Sequence, residues 1–196
     1  VERAVGAYGP QADVYRAAGE WGGQTLVGVL RSHVESRPAA VAIATIEGEL
    51  TYDELDRRSD AMALGLVDAG LQPGDAVIFQ TGNELEAVVA LYGVLKAGLV
   101  PVCSIPNHRL HEVAHIATAT RACAHLFQAD YRNYDLASLS AELAQRCPEV
   151  AVRIVIRGES SPGTMSFDGL VGHADPQRAR RVVDEDERQV TPEGVA

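Results

Sequence analysis

Lysine is almost absent from this chain: of its 17 basic residues, Lys96 alone is lysine and the rest are arginine. Aromatic residues make up 5% of the 196 positions, with a single tryptophan, Trp21. The three cysteines, Cys103, Cys123 and Cys147, include no C-x-x-C pair, which excludes a zinc ribbon or a dithiol redox site and predicts reduced, mostly buried thiols. No apolar run approaches the roughly 20 residues of a membrane span. Val1 to Gly9 carries no basic-then-apolar signal segment. A soluble, cytoplasmic chain without membrane contact is therefore expected. The formal net charge of −10 leaves no basic surface of the kind nucleic acid requires. Gly70, Gly74 and Gly82 do not form G-x-G-x-x-G between a strand and a helix, which excludes the dinucleotide fingerprint.

What is present is an alternation of helical and extended signals. Val1–Gly23 is rich in Gly and Ala without periodicity and reads as an irregular N-terminal arm, with Trp21 as its anchor on the body. Thr25–Ser36 places Leu26, Val29, Leu30 and Val34 at helical spacing, and Pro38 closes it. Val41–Thr45 and Leu50-Thr51 read as a hairpin around Glu47-Gly48-Glu49. Thr51 and Glu54 have the spacing of a capping box. The helix they open carries Leu55, Met62, Leu66 and Val67 on one side and Asp53, Asp56, Arg57 and Asp60 on the other, and Gly70 ends it. Ala76–Phe79 is a short buried strand. Asn83 is the expected cap of the next helix, whose acidic first turn (Glu84, Glu86) suits the helix dipole. That helix is apolar nearly all round, which predicts burial on both sides, and Gly98 terminates it before the strand Val100–Ser104.

Strand, helix and strand within about thirty residues make a βαβ unit with a parallel pair. The pattern recurs through Leu110–Arg121 (helix), Ala124–Gln128 (strand), Leu136–Arg146 (helix) and Val150–Ile156 (strand). The expected fold is α/β, doubly wound, a mostly parallel sheet with helices on both faces. Its expected divisions are an arm at 1–23, the α/β subdomain at 24–158, and a polar tail or connector at 159–196. Within that last segment Met165–Val171 is read as a short element and His173–Ala196 as charge-rich and exposed.

Three motifs stand in register: Leu50-Thr-Tyr-Asp-Glu-Leu55, Gly74-Asp-Ala-Val77 and Leu95-Lys-Ala-Gly-Leu-Val-Pro101. In order and spacing they resemble the opening of the adenylate-forming enzymes: acyl- and aryl-acid AMP ligases, acyl-CoA synthetases and peptide-synthetase adenylation domains. Tyr15, Gly19, Trp21, Thr25-Leu26, Pro106-Asn107-His108-Arg109 and Asp135-Leu136 are similar to aryl-acid AMP ligases of the dihydroxybenzoate or salicylate type, which serve siderophore and nonribosomal peptide biosynthesis. The resemblance implies the N-terminal subdomain of such a ligase. The intact enzyme would use ATP and magnesium to turn an aromatic carboxylic acid into an acyl-adenylate and pass the acyl group to a carrier-protein or CoA thiol. In that family a loop of the form S-G-[GST]-[ST]-T-G-x-x-K follows a segment like Gln189–Ala196. No such loop occurs in these residues, and Lys96, in its L-K-A-G motif, reads as a cation complementing a helix C-terminus. The resemblance thus assigns this chain no catalytic, cofactor-binding or metal-binding residue. It implies a fragment that is inactive alone, lacks partner subdomains in cis or trans, and exposes surface for self-association. Asn107, His108 and Arg109, just past a parallel strand's carboxyl end, are the candidates for shaping an acyl or pantetheine channel.

Two rival readings have residues behind them. His111-Glu112-Val113-Ala114-His115 fits H-E-x-x-H, which on a helix would set two imidazoles on one face for zinc with the glutamate as base. No third ligand is defined, because Thr118 and Arg121 occupy the places of the extended signature's glycine and histidine. The other rival is a naturally truncated, non-catalytic binding or scaffold module. A stop codon after Ala196 would favour the module, and a following S-G-x-T-T-G the fragment.

Overall fold

Five parallel strands carry the fold in the order β4-β3-β5-β6-β7: β4 is Val100–Ser104, β3 Ala76–Gln80, β5 Ala124–Gln128, β6 Val152–Arg157 and β7 Met165–Ser166. A separate antiparallel hairpin pairs β1 (Val41–Ala44) with β2 (Glu49–Thr51). The computed structural model describes residues 11–20 and 22–186. Among them the helices are α1 (Gln11–Ala17), α2 (Leu26–Ser36), α3 (Tyr52–Asp68), α4 (Leu85–Lys96), α5 (Leu110–Thr120), α6 (Leu136–Arg146), α7 (Phe167–Gly172) and α8 (Pro176–Asp186). The expected α/β layering with a parallel sheet is therefore the observed one.

Alternation along the strands splits the core in two. Val77, Phe79, Ala124, Leu126, Ile154 and Ile156 face a cluster supplied by α2, α3, α4, α7 and α8, including Leu30, Met62, Leu66, Val94, Phe167 and Val183. Ala76, Ile78, Phe127 and Val155 face the other way, onto Val113, Ala117, Leu136 and Leu143 of α5 and α6. Strand β3 is buried along its whole length, as expected of a central parallel strand covered on both faces. The capping box forms: the Thr51 N–H donates to Glu54 Oε2 at 2.8 Å, and the Glu54 N–H donates to Thr51 Oγ1 at 3.2 Å. Gly70 (φ +94°) and Gly98 (φ +70°) end α3 and α4 in the left-handed region, where a side chain would be strained. No residue of α4 is exposed, in line with its apolar circumference.

Several expectations change. The arm at 1–23 contains the helix α1, while Val1–Pro10 and Trp21 lie outside the described residues. The N-cap of α4 is Glu84 rather than Asn83, and its carboxylate makes no cap hydrogen bond because it is engaged elsewhere. Asp56 and Asp60 do not sit on a solvated face of α3: both are buried. The segment at 159–196 contributes β7, α7 and α8, and α8 buries Ala179 and Val183 against the body. Of the three free thiols only Cys147 is buried. Cys123 is half-buried and Cys103 is exposed on β4. No described helix is long and apolar enough to cross a membrane.

One buried group gives the fold a pH signature. His125 is fully buried on β5, its Nδ1 lies 3.1 Å from Ser140 Oγ of α6, and its Nε2 has no partner. Burial, helped by the Arg153 charge, pushes its pKa down from 6.5 to about 3. The unfolded chain therefore binds a proton between these values that the folded chain refuses. Stability contributed by the neutral ring is complete above about pH 6.5 and falls as pH drops toward 3, with a slope of at most about 1.4 kcal/mol per pH unit. Urea titrations of wild type and His125→Gln at pH 7 and pH 4.5 should show the smaller acid-induced loss in the variant. Equal losses would refute the assignment.

Candidate functional site

The strand order reverses between β3 and β5. From β3 the chain crosses to β4 on one side, then returns to place β5 on the other. Open parallel sheets bind ligands outside the carboxyl ends of the strands at such a switch point. A polar cleft of about 570 Å³ opens there, walled by Thr81–Glu84 after β3, Ser104–Pro106 after β4, Gln128 and Asp130–Arg132 after β5, and Arg157 at the end of β6. It shares Thr81–Glu84 and Ser104 with a second, more apolar hollow of about 530 Å³ between the hairpin (Ile43–Thr45), α4 (Ala87, Val88, Leu91) and Phe79.

Two buried amides brace the cleft: Gln128 lines it, and Gln80 lies behind its lining. Gln80 ends β3, and its Nε2 donates to the carbonyls of His108 (2.8 Å) and Pro106 (3.3 Å), pinning the loop after β4. Gln128 ends β5, accepts the Gly82 N–H at 2.9 Å and donates to Asp130 Oδ1 at 3.0 Å. A Cβ at Gly82 would lie 3.0 Å from Gln128 Oε1, so a side chain there would press on this amide. Arg157 gathers three carboxylates from three loops: Glu47 of the hairpin turn, Glu84 at the start of α4 and Asp130 after β5. The hydrogen bonds with Arg157 hold the Glu47 carboxyl below its ordinary range, and those with Glu47 raise the Arg157 pKa.

The predicted channel residues lie beside this cleft, on its rim, and none of the three is among its lining. His108 Nδ1 is 2.8 Å from Ser104 Oγ, and Ser104 does line the cleft. Asn107 is exposed. Arg109 is the N-cap residue of α5: its backbone N–H donates to Glu112 Oε2 at 2.9 Å, and its guanidinium lies 4.0 Å above the Tyr134 ring. Tyr134 is tilted against Tyr131 at 6.0 Å, and Arg132 lies 5.4 Å from the Tyr131 ring, so two guanidiniums bracket two tyrosines along the rim. Arg132 adopts φ +51°, an uncommon conformation for a residue with a side chain. Spacing alone did not single out Tyr131, Arg132, Gln80, Gln128 or Arg157. A glutamine closing a buried strand, in F-Q-T-G and F-Q-A-D, was the available signal.

Among the described residues the H-E-x-x-H helix gathers no third metal ligand. His111 and His115 are exposed, Glu112 is folded back onto the N-terminus of α5, and no group of three metal-capable side chains occurs among the described residues. The cleft carboxylates Glu84 and Asp130 are paired with Arg157, and Glu84 is also the N-cap residue of α4.

A parallel sheet with helices on both faces and a polar cleft at its switch point places the chain in the α/β class. The profile of the family described as AMP-binding enzyme matches residues 30–196, so the chain belongs to that family. It is 33% identical over 174 residues to a salicylyl-CoA synthase / salicylate adenylyltransferase of Streptomyces sp., covering 88% of this chain and 32% of the relative. It is 36% identical over 158 residues to the salicyl-AMP ligase / salicyl-S-ArCP synthetase of Mycobacterium tuberculosis, covering 78% and 28%. Among solved structures, apo MbtA of Mycobacterium smegmatis superposes with a TM-score of 0.75 at 35% identity, over 84% of this chain and 30% of that one. The chain thus spans about a third of the length of the relatives it matches.

Proposed function

We propose that this chain forms the amino-terminal α/β layer of an ATP-dependent aryl-acid–AMP ligase, which activates an aromatic carboxylic acid as its adenylate for transfer to a carrier-protein or CoA thiol. The observation that carries the reading is the 36% identity to a salicyl-AMP ligase across 78% of the chain. The layer's part in this reaction is positioning: it holds a polar cleft and a cationic rim open at the sheet's ligand edge, while phosphate binding and adenylate chemistry belong to further subdomains. Asn107, His108 and Arg109, together with Arg132, guide the acceptor's phosphopantetheine arm. Guanidiniums suit its phosphate, and the amides and hydroxyls of Gln128, Asn83, Thr81 and Ser104 suit the amides of the arm. By itself the chain forms no adenylate.

The test is pyrophosphate exchange by the full reading frame that contains this chain. Salicylate and 2,3-dihydroxybenzoate should support exchange, and aliphatic acids should not. Exchange with aliphatic acids alone, or with none, overturns the proposal. Calorimetry of the 196-residue chain with ATP should give no tight binding. In the full ligase Arg109→Ala/Arg132→Ala should raise KM for the thiol acceptor by about tenfold, the scale of one charge-assisted contact, and affect adenylation less. An equal effect on both half-reactions would remove these residues from the acceptor path.

A further inference from the structure

Helix α8 is held to the body by charge more than by apolar contact. Val183 is its one residue in the main apolar cluster, among the described residues, and Ala179 is the other it buries. Against this stand ion pairs to two other helices. Arg178 grips Asp68 of α3 with both guanidinium nitrogens. Asp184 accepts from Arg31 of α2 at 3.0 Å. Arg180 reaches Asp56 at 2.9 Å and Asp60 at 3.1 Å. The last contact differs in kind, because Asp56 and Asp60 are only 8% exposed and already bind the fully buried Lys96 at 2.7 and 2.6 Å. Lys96 alone leaves this cluster one negative charge in excess, and Arg180 brings it to neutrality. An eleven-residue helix is not stable in water by itself, so α8 persists only while these contacts hold it.

We propose that α8 is an electrostatic strap: a separately opening unit that closes over the Lys96–Asp56–Asp60 cluster, with Arg180 as its clasp. Opening leaves the sheet and both apolar clusters standing, apart from Val183, and uncovers two carboxylates on α3. Ionic strength then sets the open fraction. The Arg178–Asp68 pair is exposed on both sides and the Arg31–Asp184 pair on its carboxylate side, so both are screened by salt, while the Arg180 contacts, to carboxylates only 8% exposed, weaken less.

The test is hydrogen exchange of the full 196-residue chain, read on peptides covering α8, α3 and α4. Raising NaCl from 25 to 500 mM should speed exchange of α8 on the order of tenfold and leave α3 and α4 unchanged. Arg180→Gln should give fast α8 exchange already at low salt, and Arg180→Lys should recover part of the protection. The wild-type salt series decides the matter even if the glutamine variant folds poorly. Salt-independent exchange of α8, or exchange of α8 only together with α3 and α4, overturns the strap.

Discussion

Replacing Lys96 by methionine should destabilise the chain by about 3–5 kcal/mol, the cost of leaving buried carboxylates without their cation. The ammonium is fully buried and donates to Asp56 Oδ1, Asp60 Oδ1 and the Asp56 carbonyl, at 2.7, 2.6 and 2.8 Å. Once it is gone, the two carboxylates retain, among the described residues, the cation of Arg180, whose side chain is 42% exposed and shares its charge with solvent. The measurement is a urea midpoint with an unchanged m-value, so that the loss is of stability and not of compactness. Methionine keeps the stem's apolar packing, which isolates the charge. Adding Asp56→Asn and Asp60→Asn to Lys96→Met should restore much of the loss, because a buried ion cluster replaced as a unit costs far less than one broken in part. A loss below about 1 kcal/mol for Lys96→Met would mean that water reaches the site.

The second large effect is steric. At Gly93, α4 lies so close to α3 that a Cβ would sit 2.6 Å from Met62 Cγ, 2.7 Å from Met62 Cβ and 3.3 Å from the Ser59 carbonyl. Gly93→Ala should therefore cost about 2–3 kcal/mol, the overpacking range, although alanine is the better helix former. Met62→Ala should not rescue it, because the obstructing Cβ remains. Thermal or urea unfolding of the two single variants and the double variant checks this. A Gly93→Ala protein as stable as wild type would show that the helices separate freely.

The layers were legible because each rests on local chemistry. The Thr51–Glu54 box, the glycine terminators after α3 and α4, and the β-branched strands each carry their own signal. The polar cleft was only half legible. The loop Pro106–Arg109 follows a readable strand, but which strand ends face one another depends on strand order, and order is set by crossovers that leave no residue signature. The cleft therefore centres on β3 and β5, one strand away from the expected residues. The charge cluster was hidden for a related reason. Asp56 and Asp60 look solvated beside Arg57, and their partners stand 40, 36, 124 and 120 positions away, on helices whose docking no periodicity announces.

Arg157 has a consequence for how this layer can diverge. One guanidinium answers carboxylates on three loops that are distant in sequence, so those loops are not independent variables. Neutralising any one of the three leaves the other two paired and shifts the local balance toward positive. A single substitution at Glu47, Glu84 or Asp130 would thus cut the excess of negative charge around Arg157 by half, with the sheet beneath undisturbed. The charge of this mouth is tuned by subtracting an acid, with no need to introduce a base.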